Sequence, residues 1–186
     1  MKVVVIYESM FGNTRVIANA IAAGLRPGND VAVVPVARAD KEVLAGADLV
    51  LVGGPTHIHG LSRAATRRQA VQMARKPQAD LTIDEDAEGQ GLHEWFSSVG
   101  QVGVPAAAFD TRLAGLAVLT GRASRGINAQ LRRHGFRVIA SPESFLVDGH
   151  NHLVPGEELR ARAWGEKLAR KLQVAADSSA GTMLPR

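Results

Sequence analysis

The sequence contains no cysteine and few aromatic residues. Its 186 residues include two tryptophans, one tyrosine and five phenylalanines. Without cysteine the chain cannot form disulfides, thiolate metal sites or a cysteine nucleophile. No apolar run is long enough to span a membrane, and no small-residue cleavage site follows the first strand-like segment. We therefore expect one domain with a full core, no secretory signal, no membrane partner and, by default, a cytoplasmic location.

The charge distribution is uneven, although the net charge is only +4. Basic residues cluster between residues 63 and 76 and between residues 122 and 137, and acidic residues gather between residues 80 and 88. Nucleic acid is one interpretation of the basic groups, but the arginines have no aromatic residues interleaved among them. Solvated helix faces explain the pattern better, and an acidic protein partner is the second interpretation. We expect no nucleic-acid partner.

The first fourteen residues carry the strongest local signal. Lys2–Tyr7 reads KVVVIY, an apolar run typical of a buried strand, and the turn SMFGNT and an amphipathic run follow it. The N-terminus of a helix attracts anions because its first N–H groups are unpaired. Gly12 lets a ligand approach the backbone, and Ser9, Asn13 and Thr14 add donors. This chemistry suits a phosphate monoester, although a plain turn with Asn13 or Thr14 as helix cap stays open as an alternative.

The alternation of strand and helix patterns predicts an α/β fold, an open and mostly parallel sheet with helices on both faces. We expect one domain over residues 1–176 and a disordered tail over residues 177–186. The predicted strands are Lys2–Tyr7, Val31–Val36, Asp48–Val52, Pro105–Phe109 and Phe136–Ala140, with Glu143–Val147 as an optional continuation. The predicted helices are Thr14–Leu25, Lys41–Ala45, Arg63–Arg75, His93–Val99, Ala123–His134 and Pro155–Leu172.

Three polar loops follow the carboxyl ends of predicted strands, where open parallel sheets bind ligands. They cover residues 9–14, 54–60 and 110–121. The first reads SMFGNT, the second lies within GGPTHIHG and the third begins within AFDTRLAG. We expect these loops to meet at one edge of the sheet.

The three loops resemble those of the flavodoxin family. The resemblance as a whole covers Met1–Gln173 of this chain. The resemblance implies a five-stranded parallel sheet of order 2-1-3-4-5 in a three-layer α/β/α sandwich, with FMN as the cofactor. It assigns the FMN phosphate to Ser9, Met10, Phe11, Gly12, Asn13 and Thr14. It assigns one side of the flavin ring to Pro55, Thr56, His57, Ile58, His59 and Gly60, and the other side to Asp110, Thr111 and Arg112. The ring loops contain no tyrosine or tryptophan, so we expect weak stacking on the flavin.

The resemblance implies an FMN-binding protein that transfers electrons. Its partner would be a redox protein, a small quinone or a nicotinamide, and the chain would be a monomer or a homodimer. No catalytic acid or base is required, because the cofactor carries the reaction. Two alternatives stay open. One is an FMN-dependent NAD(P)H:quinone oxidoreductase, in which residues 62–104 help to form a substrate pocket. The other is a module that has kept the fold and lost the flavin.

Several side chains have competing interpretations. The pairs His57/His59 and His150/His152 could each bind a metal, but each lacks a third ligand at the usual spacing, so we expect no metal. Asp110 could act as a general base, although a loop-capping carboxylate is the stronger interpretation.

Overall fold

The computed structural model describes residues 1–56, 60, 62, 64–74, 81–116 and 120–181. Strands and helices alternate along this described chain, as predicted. The strands are β1 (Lys2–Tyr7), β2 (Asp30–Pro35), β3 (Leu49–Pro55), β4 (Pro105–Leu113), β5 (Arg137–Val138) and β6 (Glu143–Val147). The helices are α1 (Asn13–Leu25), α2 (Lys41–Leu44), α3 (Ala64–Ala74), α4 (Leu92–Ser98), α5 (Ala123–Arg133) and α6 (Glu157–Gly181), and a 3₁₀ turn covers Val36–Arg38.

The sheet has the predicted strand order, β2-β1-β3-β4-β5, and its named strand pairs are all parallel. In the described chain it has six strands rather than five, because β6 also pairs with β4. β5 and β6 are two pieces of the predicted fifth strand. Pro142 lies between them and has no N–H to donate to a neighbouring strand, which is consistent with an interruption at this point.

Strand β4 is longer than predicted. The prediction that it ends at Phe109 is wrong, since pairing continues from Phe109 opposite Glu143 to Leu113 opposite Val147. The physical reason is β6, which gives the second half of β4 a neighbour to bond with. Asp110, Thr111 and Arg112 therefore lie in a strand and not in a loop.

Both faces of the sheet are buried, which explains the nearly continuous apolar sequences of β1 and β3. Val3 and Val5 belong to a core that α1 and α6 cover, and Val4 and Ile6 belong to a second core that α4 and α5 cover. No helix in the described part of the chain is long and apolar enough to cross a membrane.

Helix α6 is longer than the sequence suggested. It begins at Glu157 and continues past Leu172 to Gly181, into the segment that we expected to be disordered. Four residues, Gln173–Ala176, lie between the predicted helix end and the predicted tail, and all four have good or moderate helix propensity. Residues 182–186 lie outside the described residues.

Two glycines allow α1 and α6 to pack closely. A Cβ at Gly24 would meet the carbonyl oxygen of Arg162, and a Cβ at Gly165 would meet the carbonyl oxygen of Ile21. Both obstacles are backbone atoms, so neither can be avoided by rotating a side chain. The close approach of the two helices therefore depends on the absence of side chains at these positions.

We expect Gly165→Ala to lower the free energy of unfolding by about 1–3 kcal/mol, because the added methyl group must push the two helices apart. Gly103→Ala is the matched control: nothing lies within 4 Å of a Cβ built at Gly103. That control should change stability by less than about 0.5 kcal/mol. Urea unfolding measures both variants. Equal stability of Gly165→Ala and the wild type would show that the helices separate at no cost.

Candidate functional site

The start of α1 presents backbone N–H groups that have no acceptor among the residues that the structure describes. Gly12 precedes the helix with a φ of 85°, in the left-handed region that glycine adopts without strain. The first hydrogen bond of the helix joins the Val16 N–H to the Gly12 carbonyl at 2.9 Å. Within the described residues, no acceptor is recorded for the N–H groups of Asn13, Thr14 and Arg15. Such a helix start is a ready-made site for an anion.

A cavity of about 290 Å³ lies beside this helix start. It brings together candidate residues from all three loops named in the sequence. From the phosphate loop and from the ends of β3 and β4, its lining includes Met10, Phe11, Asn13, Thr14, Pro55, Thr56, Thr111 and Arg112.

The β6–α6 loop completes the cavity, and the sequence interpretation missed it. Asp148, Gly149 and Asn151 of this loop line the cavity, together with Leu113 and Val147. A usable signal was present, because the loop follows the carboxyl end of a strand in the same parallel sheet. The segment predicted as an optional strand, Glu143–Val147, immediately precedes this loop.

Other candidate residues do not line the cavity. Ser9 is buried and its Oγ accepts a hydrogen bond from the Gly12 N–H at 3.1 Å, so it shapes the turn. Gly60 lies elsewhere, and the segment from His57 to His59 lies outside the described residues.

The polar side chains of the turn already have partners in the protein. The hydroxyls of Thr14 and Thr111 are hydrogen-bonded to each other at 2.7 Å, and the Asn13 amide donates to the Asn151 carbonyl at 2.7 Å. These bonds tie the turn to β4 and to the β6–α6 loop. Backbone N–H groups, rather than the predicted side-chain donors, are therefore the free donors of this turn.

Asp110 is fully buried, so its carboxylate does not reach the cavity. Its Oδ2 accepts hydrogen bonds from the Ser124 N–H at 2.7 Å and from the Thr56 hydroxyl at 3.1 Å. The Thr56 oxygen in turn accepts from the Ala123 N–H at 3.0 Å. Together the two side chains cap the start of α5. The geometry thus favours the capping interpretation of Asp110 over contact of its side chain with a ring.

Arg112 closes the turn that follows β4. Its Nη1 donates to the carbonyls of Leu113 and Gly115, at 3.1 and 3.0 Å, and to the Thr120 hydroxyl at 3.0 Å. The residue is only 8% exposed, yet it lines the cavity. It therefore places a positive charge beside the site while holding the local backbone in shape.

An acidic strap, defined here as residues 82–87, packs over the outside of the phosphate loop. The Asp84 N–H donates to the Met10 carbonyl at 2.9 Å, and the Asp84 carboxylate pairs with Arg15 at 3.1 Å. The hydrogen bond between the Arg15 guanidinium and the Asp84 carboxylate raises the pKa of Arg15. Asp86 pairs with Arg38 at 3.3 Å. The strap thus holds the phosphate loop in place, and Asp84 neutralises the charge of Arg15, the arginine nearest to the start of α1.

The family comparison agrees with this geometry. The family model described as Flavodoxin matches residues 5–100, more than half of the 186 residues. The chain belongs to the flavodoxin family. The sequence resemblance is thereby confirmed. No curated protein sequence matches the chain.

Solved flavodoxin structures share its fold at low sequence identity. A flavodoxin from the domain Archaea is 21% identical, with a TM-score of 0.63 over 93% of this chain and 99% of that chain. Flavodoxin 1 from Bacillus cereus is 20% identical, with a TM-score of 0.62 over 91% and 98%. A WrbA-like flavodoxin from Agrobacterium tumefaciens is 18% identical, with a TM-score of 0.53 over 92% and 97%.

Flavodoxins bind FMN, and the residues of this flavodoxin chain fit that cofactor. The free N–H groups at the start of α1 suit its phosphate. The cavity is near the lower end of the roughly 300–1,000 Å³ typical of small-molecule sites. Among the described residues, no group of three histidine, aspartate or glutamate side chains is placed to hold a metal.

One carboxylate lines the cavity, and the backbone compensates its charge. Asp148 accepts hydrogen bonds from the N–H groups of His152 and His150, both at 2.9 Å. The bond from His152 is the largest cause of the lowered pKa of Asp148. The Asp148 carboxylate thus has hydrogen-bond partners within its own turn, and these partners offset its negative charge near the proposed phosphate position.

A buried polar network connects the end of β1 with the segment that follows β3. Glu8 directly precedes the phosphate loop, and its carboxylate accepts hydrogen bonds from the Ser62 hydroxyl and from the Leu92 N–H, the latter at 2.8 Å. Arg67 donates to Ser62 at 3.3 Å and to Glu94 at 3.1 Å. Glu8, Ser62 and Arg67 are all buried. The network therefore fixes the far end of the segment that begins at Pro55.

The network also lowers the pKa of Glu94. Burial alone would raise this pKa, but hydrogen bonds from its own N–H and from Gly91, together with the charge of Arg67, lower it below its ordinary value. Because the pKa of Glu94 is lower in the folded than in the unfolded protein, its ionised carboxylate stabilises the fold at pH values above its pKa in the unfolded protein. This stabilisation is lost as the pH falls through its pKa in the folded protein.

We expect Glu8→Gln to lower the free energy of unfolding by about 1–3 kcal/mol, because the two donors bond to different carboxylate oxygens and an amide replaces one of these oxygens by an NH₂ group. Glu42→Gln is the matched control, since Glu42 is exposed and its side chain has no hydrogen bond in the described structure. Chemical denaturation compares the two variants. A loss no larger than that of the control would mean that Glu8 contributes no more than a surface carboxylate.

Proposed function

We propose that this chain is an FMN-binding electron carrier that holds the FMN phosphate at the start of α1. The observation that carries the proposal is that the N–H groups of Asn13, Thr14 and Arg15, beside the cavity, have no acceptor in the described part of the chain. Membership of the flavodoxin family supports the choice of cofactor. FMN, when bound, supplies one- and two-electron redox chemistry.

The residues of the chain would then bind and orient the cofactor. The helix start would receive the phosphate, and Thr56 and Thr111 would flank the chain that leads to the ring. The ring would lie between the segment that begins at Pro55 and the end of β4, near the positive charge of Arg112. The proposed set contains no general acid or base, because Asp110 is committed to capping α5.

We propose a redox protein as the partner, ahead of a small quinone or nicotinamide. Leu113 and Leu116 support this choice, because they are 49% and 71% exposed at the end of β4. Leu113 also lines the cavity. Exposed apolar side chains that adjoin a functional site are typical of protein contacts. The cytoplasmic location expected from the sequence remains part of this proposal.

Replacing Asn13 by aspartate tests the proposal. The new carboxylate would stand where the phosphate is expected, and the bond to the Asn151 carbonyl would be lost. We expect the Kd for FMN to rise about ten- to hundredfold, because the added carboxylate repels the negatively charged phosphate at close range. Riboflavin has the same ring and no phosphate, so its Kd should change less than threefold. Calorimetry with both ligands measures the difference.

Asn19→Asp is the matched control, because it makes the same charge change on the exposed side of α1. Its affinity for FMN should stay within about threefold of the wild type. Equal weakening of FMN and riboflavin in Asn13→Asp would mean that the turn acts through folding. Unchanged FMN binding would mean that SMFGNT is an ordinary turn.

A further inference from the structure

A second cavity, of about 250 Å³, lies at the edge of the sheet beside β6. It is formed where the end of β4 and strand β6 meet the starts of α5 and α6. Its polar and charged lining consists of Arg112, Arg122, Glu143, Ser144, Glu157 and Arg160. We refer to it below as the edge cavity. The family resemblance assigned no role to this place.

Three donor groups on side chains that line the edge cavity are buried and have no partner among the residues that the structure describes. They are the Nε of Arg112, the Nε of Arg122 and the Oγ of Ser144. Within the described residues, all hydrogen bonds of the Arg112 side chain come from its Nη1, and none comes from the edge formed by Nε and Nη2. That edge is the one with which arginine binds carboxylates and phosphates in a bidentate manner. Arg112 is itself more than nine-tenths buried.

The carboxylates of the edge cavity are already neutralised. Arg160 pairs with both Glu143 and Glu157, and Glu157 also accepts from the Leu146 N–H at 2.8 Å. Burial alone would raise the pKa of Glu157, but these bonds and the charge of Arg112 lower it.

Two guanidinium groups of the edge cavity, those of Arg112 and Arg122, differ from that of Arg160 because they form no close ion pair in the described chain. In the same part of the chain, no hydrogen bond is recorded for the Arg122 side chain. Buried donors without acceptors are costly, so such groups in folded proteins normally face a ligand or ordered water. Two cations and a hydroxyl that line one cavity match an acceptor that carries negative charge on several oxygens.

We infer that the edge cavity binds a tetrahedral oxyanion of the phosphate class, held by the guanidinium groups of Arg112 and Arg122 and by the Ser144 hydroxyl. This site is distinct from the start of α1, where backbone N–H groups are the donors. Arg112 is shared, because it lines both cavities. The oxyanion can be free phosphate or the phosphate monoester of a nucleotide, which present the same oxygens.

Calorimetric titration tests the inference, with inorganic phosphate and 2′,5′-ADP as the two probes. The comparison is between the wild type and Arg122→Gln, each measured with and without excess FMN at constant ionic strength. Excess FMN keeps the start of α1 occupied if the proposed function holds. If it fails, the difference that depends on Arg122 still reports on the edge cavity alone.

We expect Arg122→Gln to weaken phosphate binding about tenfold or more, since a charge-assisted hydrogen bond is lost. Arg125→Gln is the matched control: it removes the same charge from an exposed position on α5 and should leave the affinity within about twofold. Ser144→Ala should weaken binding severalfold and decides the question if Arg122→Gln does not fold, as judged by circular dichroism. Tighter binding of 2′,5′-ADP than of phosphate, again dependent on Arg122, would identify a nucleotide as the source.

An affinity of Arg122→Gln within twofold of the wild type for both probes would overturn the inference, and the edge cavity would then hold water only. Phosphate binding that excess FMN abolishes and that Arg122→Gln leaves unchanged would also overturn it, because the anion would then lie at the start of α1. Equal weakening in Arg122→Gln and Arg125→Gln would reduce the effect to general charge and would contradict a built site.

Discussion

The start of α1 leaves backbone N–H groups without an acceptor in the described chain, and the rest of the site is arranged around this fact. A helix that begins at the carboxyl edge of a parallel sheet points these donors at the place where the neighbouring strands also end. Gly12 makes the sharp entry into the helix possible, with a φ of 85°. The side chains of the turn hold it in place, as the hydrogen bond between the hydroxyls of Thr14 and Thr111 shows. What remains for a ligand is the backbone itself.

The surrounding structure stabilises that arrangement from two sides. On one side, Asp84 of the acidic strap bonds to the Met10 carbonyl and pairs with Arg15. On the other, Asp110 and Thr56 connect the ends of β3 and β4 to the start of α5. The buried network around Glu8 then anchors Ser62, beyond the segment proposed to flank the ring. Most charged groups near the site therefore have partners. The unused edge of Arg112 is an exception, and it is the basis for inferring an oxyanion site next to the cavity.

Much of this could be predicted from the sequence, because the relevant signals are local. The apolar run of β1, the turn SMFGNT and the amphipathic helix are adjacent in the chain, and their order alone predicts an anion site. Alternation of strands and helices predicts the parallel sheet. The strand order came from the family resemblance, since nothing in a single sequence fixes which strands are neighbours.

The remaining features depend on contacts between distant residues. Glu8 and Ser62 are far apart in the chain, and neither belongs to a recognisable pattern. The burial of Asp110 follows from pairing of β4 with β6, which also turned a predicted loop into a strand. The β6–α6 loop was missed because its strand was treated only as an optional continuation. The sequence of the acidic strap is typical of a solvated loop, because most of its residues are charged. Its few apolar side chains, such as Ile83, pack against the cluster that contains Met10.

The backbone amides at the start of α1 offer the most direct test of the central claim. ¹H–¹⁵N spectra of the labelled apoprotein should be recorded with FMN and with riboflavin at equal saturation. We expect the amide signals of Asn13, Thr14 and Arg15 to shift strongly with FMN and little with riboflavin, because only FMN brings a phosphate to these N–H groups. Equal shifts with both ligands, or no shift of these signals at saturating FMN, would contradict it.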